Sequence, residues 1–194
     1  MNDLCEKIET FFQKLQASGE VEVYDDSLEP SSEEDIAALE AGLGAKLPAD
    51  VRAWFARGCK AYTGSIDEPF ASIGFAFLGA ARALEHTKML RENASDDEDD
   101  EHAEIIRAGV ALTFEEPELV VTPDGVYSFS FRNPVLRVAA SWREFLESWL
   151  ASGAFSSHDF DAAWAKTAPF VPEGSVAPEQ NAWVKAYRAF HDES

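Results

Sequence analysis

Cysteine is scarce in this sequence, cations are outnumbered and long hydrophobic runs are missing. Cys5 and Cys59 are the two cysteines. Two thiols do not make a disulfide framework, which fits a reducing compartment. No stretch approaches the ~20 apolar residues that a membrane-spanning helix needs. Residues 1–9 carry acids and lack the apolar core of a secretory signal. The expectation is a cytoplasmic protein with no membrane partner. Lysine and arginine total 16 against 36 aspartates and glutamates, for a formal charge of −20. Such a surface repels nucleic-acid phosphates, and no basic stripe offsets it. Arg52, Arg57 and Lys60 cluster at a predicted helix end, where cations complement the dipole. A basic protein partner fits this charge, as does acidity that serves solubility alone.

Recognisable catalytic and cofactor patterns are also missing. The glycines form neither a phosphate-binding loop nor a dinucleotide fingerprint, and no Gly-x-Ser-x-Gly elbow occurs. His86, His102, His158 and His191 show no zinc spacing. The acidic run that starts at Asp96 lacks the calcium-loop pattern: its sixth position is not glycine and its twelfth is Arg107. Cys59 lies near a helix end and not at a helix start that would activate it, so it reads as a structural thiol. The expectation is a non-enzyme with no cofactor and no metal.

Core material is plentiful. The 194 residues are 46% hydrophobic, with 14 Phe and 5 Trp, enough to bury a sizeable core. Leu4, Ile8, Phe11, Phe12 and Leu15 recur at helical spacing, and that helix should end near Ser18-Gly19. Ser31 and Ser32 open a second helix, with Glu34 or Asp35 three residues on, and Gly44 stops it. Leu47-Pro48 opens a third, which Gly58 ends. Residues 61–69 read as loop, part of 70–78 as strand and 79–93 as helix. Strands are predicted at 105–114, 119–122, 126–131 and 135–138, with a Pro123-Asp124-Gly125 turn between the second and third. Ser141 and Glu144 form a capping box before a helix that Gly153 ends. Short helices are expected at 159–166 and 178–190. Trp54, Trp142 and Trp149 fall on apolar helix faces and read as core. Helices before and after a run of strands predict an α+β fold with a mainly antiparallel sheet.

Asp96, Asp97, Glu98, Asp99, Asp100 and Glu101 are six consecutive acids. Like charges at this density repel one another and resist packing, which predicts a mobile loop or a frayed helix end. Asp25, Asp26 and Glu29 make a second acidic loop.

Residues 28–58 carry the most specific pattern. They read Leu28-x-Pro30-Ser31-Ser32-Glu33-Glu34-Asp35-Ile36, then Leu39-Glu40, then Leu43-Gly44-x-x-Leu47-Pro48, then Val51 and Trp54-Phe55. This resembles the N-terminal signature of the SUKH superfamily, in which an acidic helix start leads to a Leu-Gly-x-x-Leu-Pro corner and a short aromatic helix. The helix at 141–150, after the strands, resembles the closing helix of that family. The resemblance covers about residues 28–155. Arg57-Gly58 stands where the family commonly has Asn-Gly, and the acidic insertion at Asp96 and the tail after Phe155 lie outside the shared pattern.

The resemblance implies an α+β fold; with the N-terminal helix added to it, the expected domain spans residues 1–155, and residues 156–194 are expected to form a C-terminal helical extension packed on it. It also implies a function. In bacteria the family consists mostly of immunity proteins that bind and neutralise a cognate protein toxin, often a nuclease. The shared Leu, Gly and Pro residues read physically as fold determinants and not as toxin contacts. A nuclease holds phosphates with basic residues, so an acidic inhibitor can occupy the same groove and reach it quickly by charge steering. The candidate partner-binding residues are therefore Asp96, Asp97, Glu98, Asp99, Asp100, Glu101, Asp25, Asp26 and Glu29. A non-catalytic regulatory scaffold, as for fungal members, is the alternative. A carboxylate-dependent hydrolase is a third reading, and it requires a cleft of closely placed acids with raised pKa values.

Overall fold

The computed structural model describes residues 1–25, 27–60, 62–67, 70–94, 100–114, 118–129, 135–176 and 178–191. The chain begins with α1 (Asn2–Ser18), which buries the Leu4, Ile8, Phe11, Phe12 and Leu15 stripe and ends at a left-handed Gly19. Strand β1 (Glu22–Asp25) leads to α2 (Glu33–Leu43) and α3 (Ala49–Arg57). Strands β2 (Tyr62–Ile66) and β3 (Ala71–Ile73) precede α4 (Ala80–Asn93) and α5 (Glu101–Ala108). A meander follows: β4 (Val110–Ala111), β5 (Glu118–Thr122), β6 (Gly125–Phe129) and β7 (Leu136–Ala139). The chain then runs through α6 (Trp142–Ala151), β8 (Phe155–His158), α7 (Phe160–Thr167) and α8 (Ala182–His191).

The fold is α+β. Two antiparallel four-stranded sheets run in the orders β1-β2-β3-β8 and β4-β5-β6-β7. An isolated Phe77–Thr113 bridge lies outside both sheets and pairs the segments that follow β3 and β4. The two adjacent serines divide the capping between two helices. The Ser32 hydroxyl accepts the Asp35 N–H at 3.1 Å at the start of α2 and donates to the Asp35 carboxylate at 2.7 Å. The Ser31 hydroxyl accepts the Ala80 N–H at 3.0 Å and so caps α4, 49 residues away.

The core is aromatic. Phe77 meets Trp54, Trp142 and Trp149 edge-on, with ring centroids 5.2, 5.8 and 5.4 Å away. Each such pair contributes about 0.5–1.5 kcal/mol beyond area burial. Trp183 of α8 is also fully buried, and its indole N–H donates to the Phe155 carbonyl at 2.8 Å. A smaller cluster of Leu90, Ile106, Ala111, Val120 and Val135 lies between α4, α5 and the second sheet.

Three sequence expectations need correction. Residues 62–66 are not loop but the second strand of the first sheet. Its alternation is masked because Thr63 and Ser65 face outward while the inward position between them is Gly64, which has no side chain to mark a core face. The first half of the strand predicted at 105–114 is the end of α5. Ala103 and Ile106 bury at helical spacing, and the Arg91 guanidinium of α4 holds the carbonyls of Ile106, Arg107 and Gly109 at 3.3, 2.9 and 3.2 Å. The boundary expected after residue 155 falls inside β8, which pairs with β3, so the C-terminal segment completes the first sheet.

Candidate partner-binding surface

The described members of the two acidic groups, Asp25 and Glu29 in one and Asp100 and Glu101 in the other, belong to different segments of the fold. Asp25 ends β1. Its carboxylate accepts hydrogen bonds from the Ser27 hydroxyl and, at 2.9 Å, the Ser27 N–H, and these hold its pKa below the ordinary carboxylate range. Glu29 is exposed beside Leu28, whose backbone pairs with Cys59. Asp100 is the N-cap of α5 and accepts from the N–H groups of His102 and Ala103 at 3.0 and 3.3 Å. Glu101 follows in the first turn and is exposed. Asp26, Asp96, Asp97, Glu98 and Asp99 lie outside the described residues. The acidic run thus ends in a helix start, where carboxylates favour the dipole and the free N–H groups. Asp25 and Asp100 both spend acceptor capacity on their own loops, while Glu29 and Glu101 point to solvent. Among the described residues no hydrogen bond or ion pair joins the two groups.

Many cations are engaged within the chain. Arg57 holds Glu9 through two bonds of 2.7 and 3.3 Å, which ties the end of α3 to α1. Arg143 reaches Asp3 at 2.7 Å and Glu147 at 2.9 Å. Lys46 meets Glu40 at 2.6 Å, Lys166 meets Glu20 at 3.0 Å, and Arg188 meets Asp161 at 3.0 Å. Arg52 pairs with Glu33. These six cations each hold an acid of the same chain, and acids outnumber cations by 20 over the whole sequence.

Two pairs of buried titratable side chains lie elsewhere in the fold. His86 Nε2 is 3.5 Å from Glu118 Oε1, both side chains are buried, and burial lowers the imidazole pKa. Cys5 and Cys59 are buried free thiols. A hydrogen bond with Cys5, together with burial, pushes the Cys59 thiol well above its ordinary range, which disfavours the reactive thiolate. No group of three or more metal-ligating side chains occurs among the described residues. No helix among them is long and apolar enough to cross a membrane.

On the outward face of the first sheet, Tyr24, Thr63, Ser65, Ser72 and Ser157 line a hollow that no sequence motif marks. The available signal was the spacing of Thr63 and Ser65, two apart. Comparison with protein-family models, with curated proteins and with solved structures finds no match.

Proposed function

We propose that this chain is a non-catalytic immunity protein that binds a basic protein toxin, in particular a nuclease, and neutralises it. The observation that carries this reading is the uncompensated acidic surface. Formal charge is −20, while the described arginines and lysines of the ion pairs are already bound to acids of the same chain. A partner with a phosphate-binding groove supplies the missing positive charge. The SUKH-like pattern over residues 28–58 supports the same function, since its residues form a helix–corner–helix unit here. An attractive charge pair of this kind raises the association rate above the ordinary ~10⁵–10⁶ M⁻¹s⁻¹, and added salt screens it.

The test is co-purification with the product of the neighbouring gene, followed by stopped-flow association at several ionic strengths. A complex whose association slows steeply with salt supports the proposal. Failure to form a complex, or an association rate indifferent to salt, contradicts it.

A further inference from the structure

Antiparallel pairing fixes which side chains share a face of the first sheet. Tyr24 lies opposite Thr63, and Glu22 opposite Ser65. Ser65 lies opposite Ser72, and Ser72 opposite Ser157. Directly opposed residues share a face, and so do residues two apart along a strand. Glu22, Tyr24, Thr63, Ser65, Ser72 and Ser157 therefore form one polar face. Val23, Ile73 and Phe155, on the opposite face, pack in the core.

The polar face is not flat. A hollow of about 200 Å³ opens over it, walled by Tyr24, Thr63, Ser65, Ser72, Thr113 and Ser157, and among the described residues no charged side chain of either sign lines it. Its size decides what fits. Pockets for small molecules run from ~300 to ~1,000 Å³, so this one suits a single long side chain. Its electrostatics decide the sign. Glu22 stands opposite Ser65 at the edge of the hollow, and its carboxylate, with the nearby Asp67 charge, raises the pKa of the Tyr24 phenol, as expected in a negative field. Tyr24 is 52% exposed, so its ring is free to pack against a partner. Unusual backbone flanks the wall that Ser157 supplies. Ala154 and His158, at either end of β8, adopt positive φ angles of 56° and 71°, unusual for residues with a side chain. The Ser157 hydroxyl is 2.8 Å from His158 Nδ1, and the exposed Phe70 ring meets the His158 ring at 4.4 Å. Strained backbone of this kind persists where the surroundings fix it, often at binding sites.

We infer that this hollow receives an arginine side chain of the basic partner protein. The guanidinium lodges among the hydroxyls of Ser65, Ser72 and Ser157 beside Glu22, and its plane lies against the Tyr24 ring. Arginine fits better than lysine because its five donors match several acceptors and its flat cation stacks on an aromatic face. The inference rests on the basic-partner reading and deepens it by naming a contact outside the acidic loops.

The experiment titrates the full chain with the blocked tripeptide acetyl-Gly-Arg-Gly-amide while amide chemical shifts are followed by NMR. The lysine and glutamate tripeptides serve as controls. Shifts should centre on Tyr24, Ser65, Ser72 and Ser157, and should be larger for arginine than for lysine and missing for glutamate. Ser72→Arg, which fills the hollow with its own guanidinium, and Tyr24→Ala, which removes the ring, should each weaken binding by about tenfold, as loss of an anchoring contact does. Both positions face outward, and the amide spectrum of each variant reports directly on folding. Shifts spread over the whole acidic surface, or binding unchanged in both variants, overturn the inference. A chain that binds the arginine peptide here but neutralises no toxin keeps the site and overturns the immunity reading. A chain that neutralises toxin and ignores the peptide does the reverse.

Discussion

The Glu40 carboxylate accepts the backbone N–H of Leu47 at 3.3 Å across the corner between α2 and α3. The same carboxylate binds Lys46 at 2.6 Å and stands 3.6 Å from the Arg52 guanidinium, while the Glu40 carbonyl accepts the Ala45 N–H at 3.2 Å. One acid thus fastens the Leu43-Gly44-x-x-Leu47-Pro48 corner, and the pattern that suggested a family is physically a fold device. Glu40→Leu keeps a side chain of similar length but leaves the Leu47 N–H without its acceptor. Thermal unfolding should show a Tm several degrees lower, with Glu40→Gln falling between the two proteins. An unchanged Tm for Glu40→Leu contradicts this role.

The indole of Trp183 donates a hydrogen bond to Phe155, whereas the indole N–H of Trp142 has no acceptor among the described residues. Both rings are buried, so replacement by phenylalanine costs similar packing at each position. The hydrogen bond adds to that cost only at 183. Trp183→Phe should therefore be the more destabilising by about 1 kcal/mol in urea unfolding. Equal losses count against an anchoring bond between α8 and β8.

Gly58 and Gly174 both have positive φ, 66° and 80°. A Cβ at Gly58 runs into the Leu28 carbonyl and the Pro30 nitrogen, while one at Gly174 meets nothing. Gly174→Ala should cost about 1 kcal/mol, the strain of a left-handed residue. Gly58→Ala should cost clearly more, because the Leu28–Cys59 bridge must move to admit it. Chemical denaturation of the two variants compares them.

Three shifted groups give stability a pH dependence of one sign. Burial raises Glu9, but the Arg57 pair and the Lys60 N–H outweigh it, so the net pKa lies below the ordinary 4.5. The Lys46 bond lowers Glu40 in the same way. His86 is held below its ordinary 6.5 by burial. In each case the unfolded chain binds more protons between the two pKa values, so stability is complete above the unfolded value and falls as pH drops towards the folded one. Denaturation midpoints should begin to fall below pH 6.5 through His86, which faces Glu118, and fall further below 4.5. His86→Gln should remove the first decline and leave the second.

Helix ends were the part of this fold most legible in sequence. Ser32, Ser141 and Gly44 act within a few residues of where they stand, so local pattern suffices to place them. What escaped was non-local. Ser31 caps a helix 49 residues on, and Arg91 closes the end of α5 from another helix. The short strand β8 carries two serines and a histidine and is defined by its pairing with β3, so its composition gives no strand signal. For the candidate site, acidity was visible as charge but its use was not. Asp100 looks like its neighbours in sequence, yet it is the residue that caps α5.

The most direct test of toxin neutralisation is growth of cells that express the neighbouring gene's toxin, with and without this chain. The chain should restore growth, and protection should weaken when exposed acids such as Glu29 and Glu101 are changed to lysine. Equal killing in the presence and absence of a well-expressed, folded chain contradicts it.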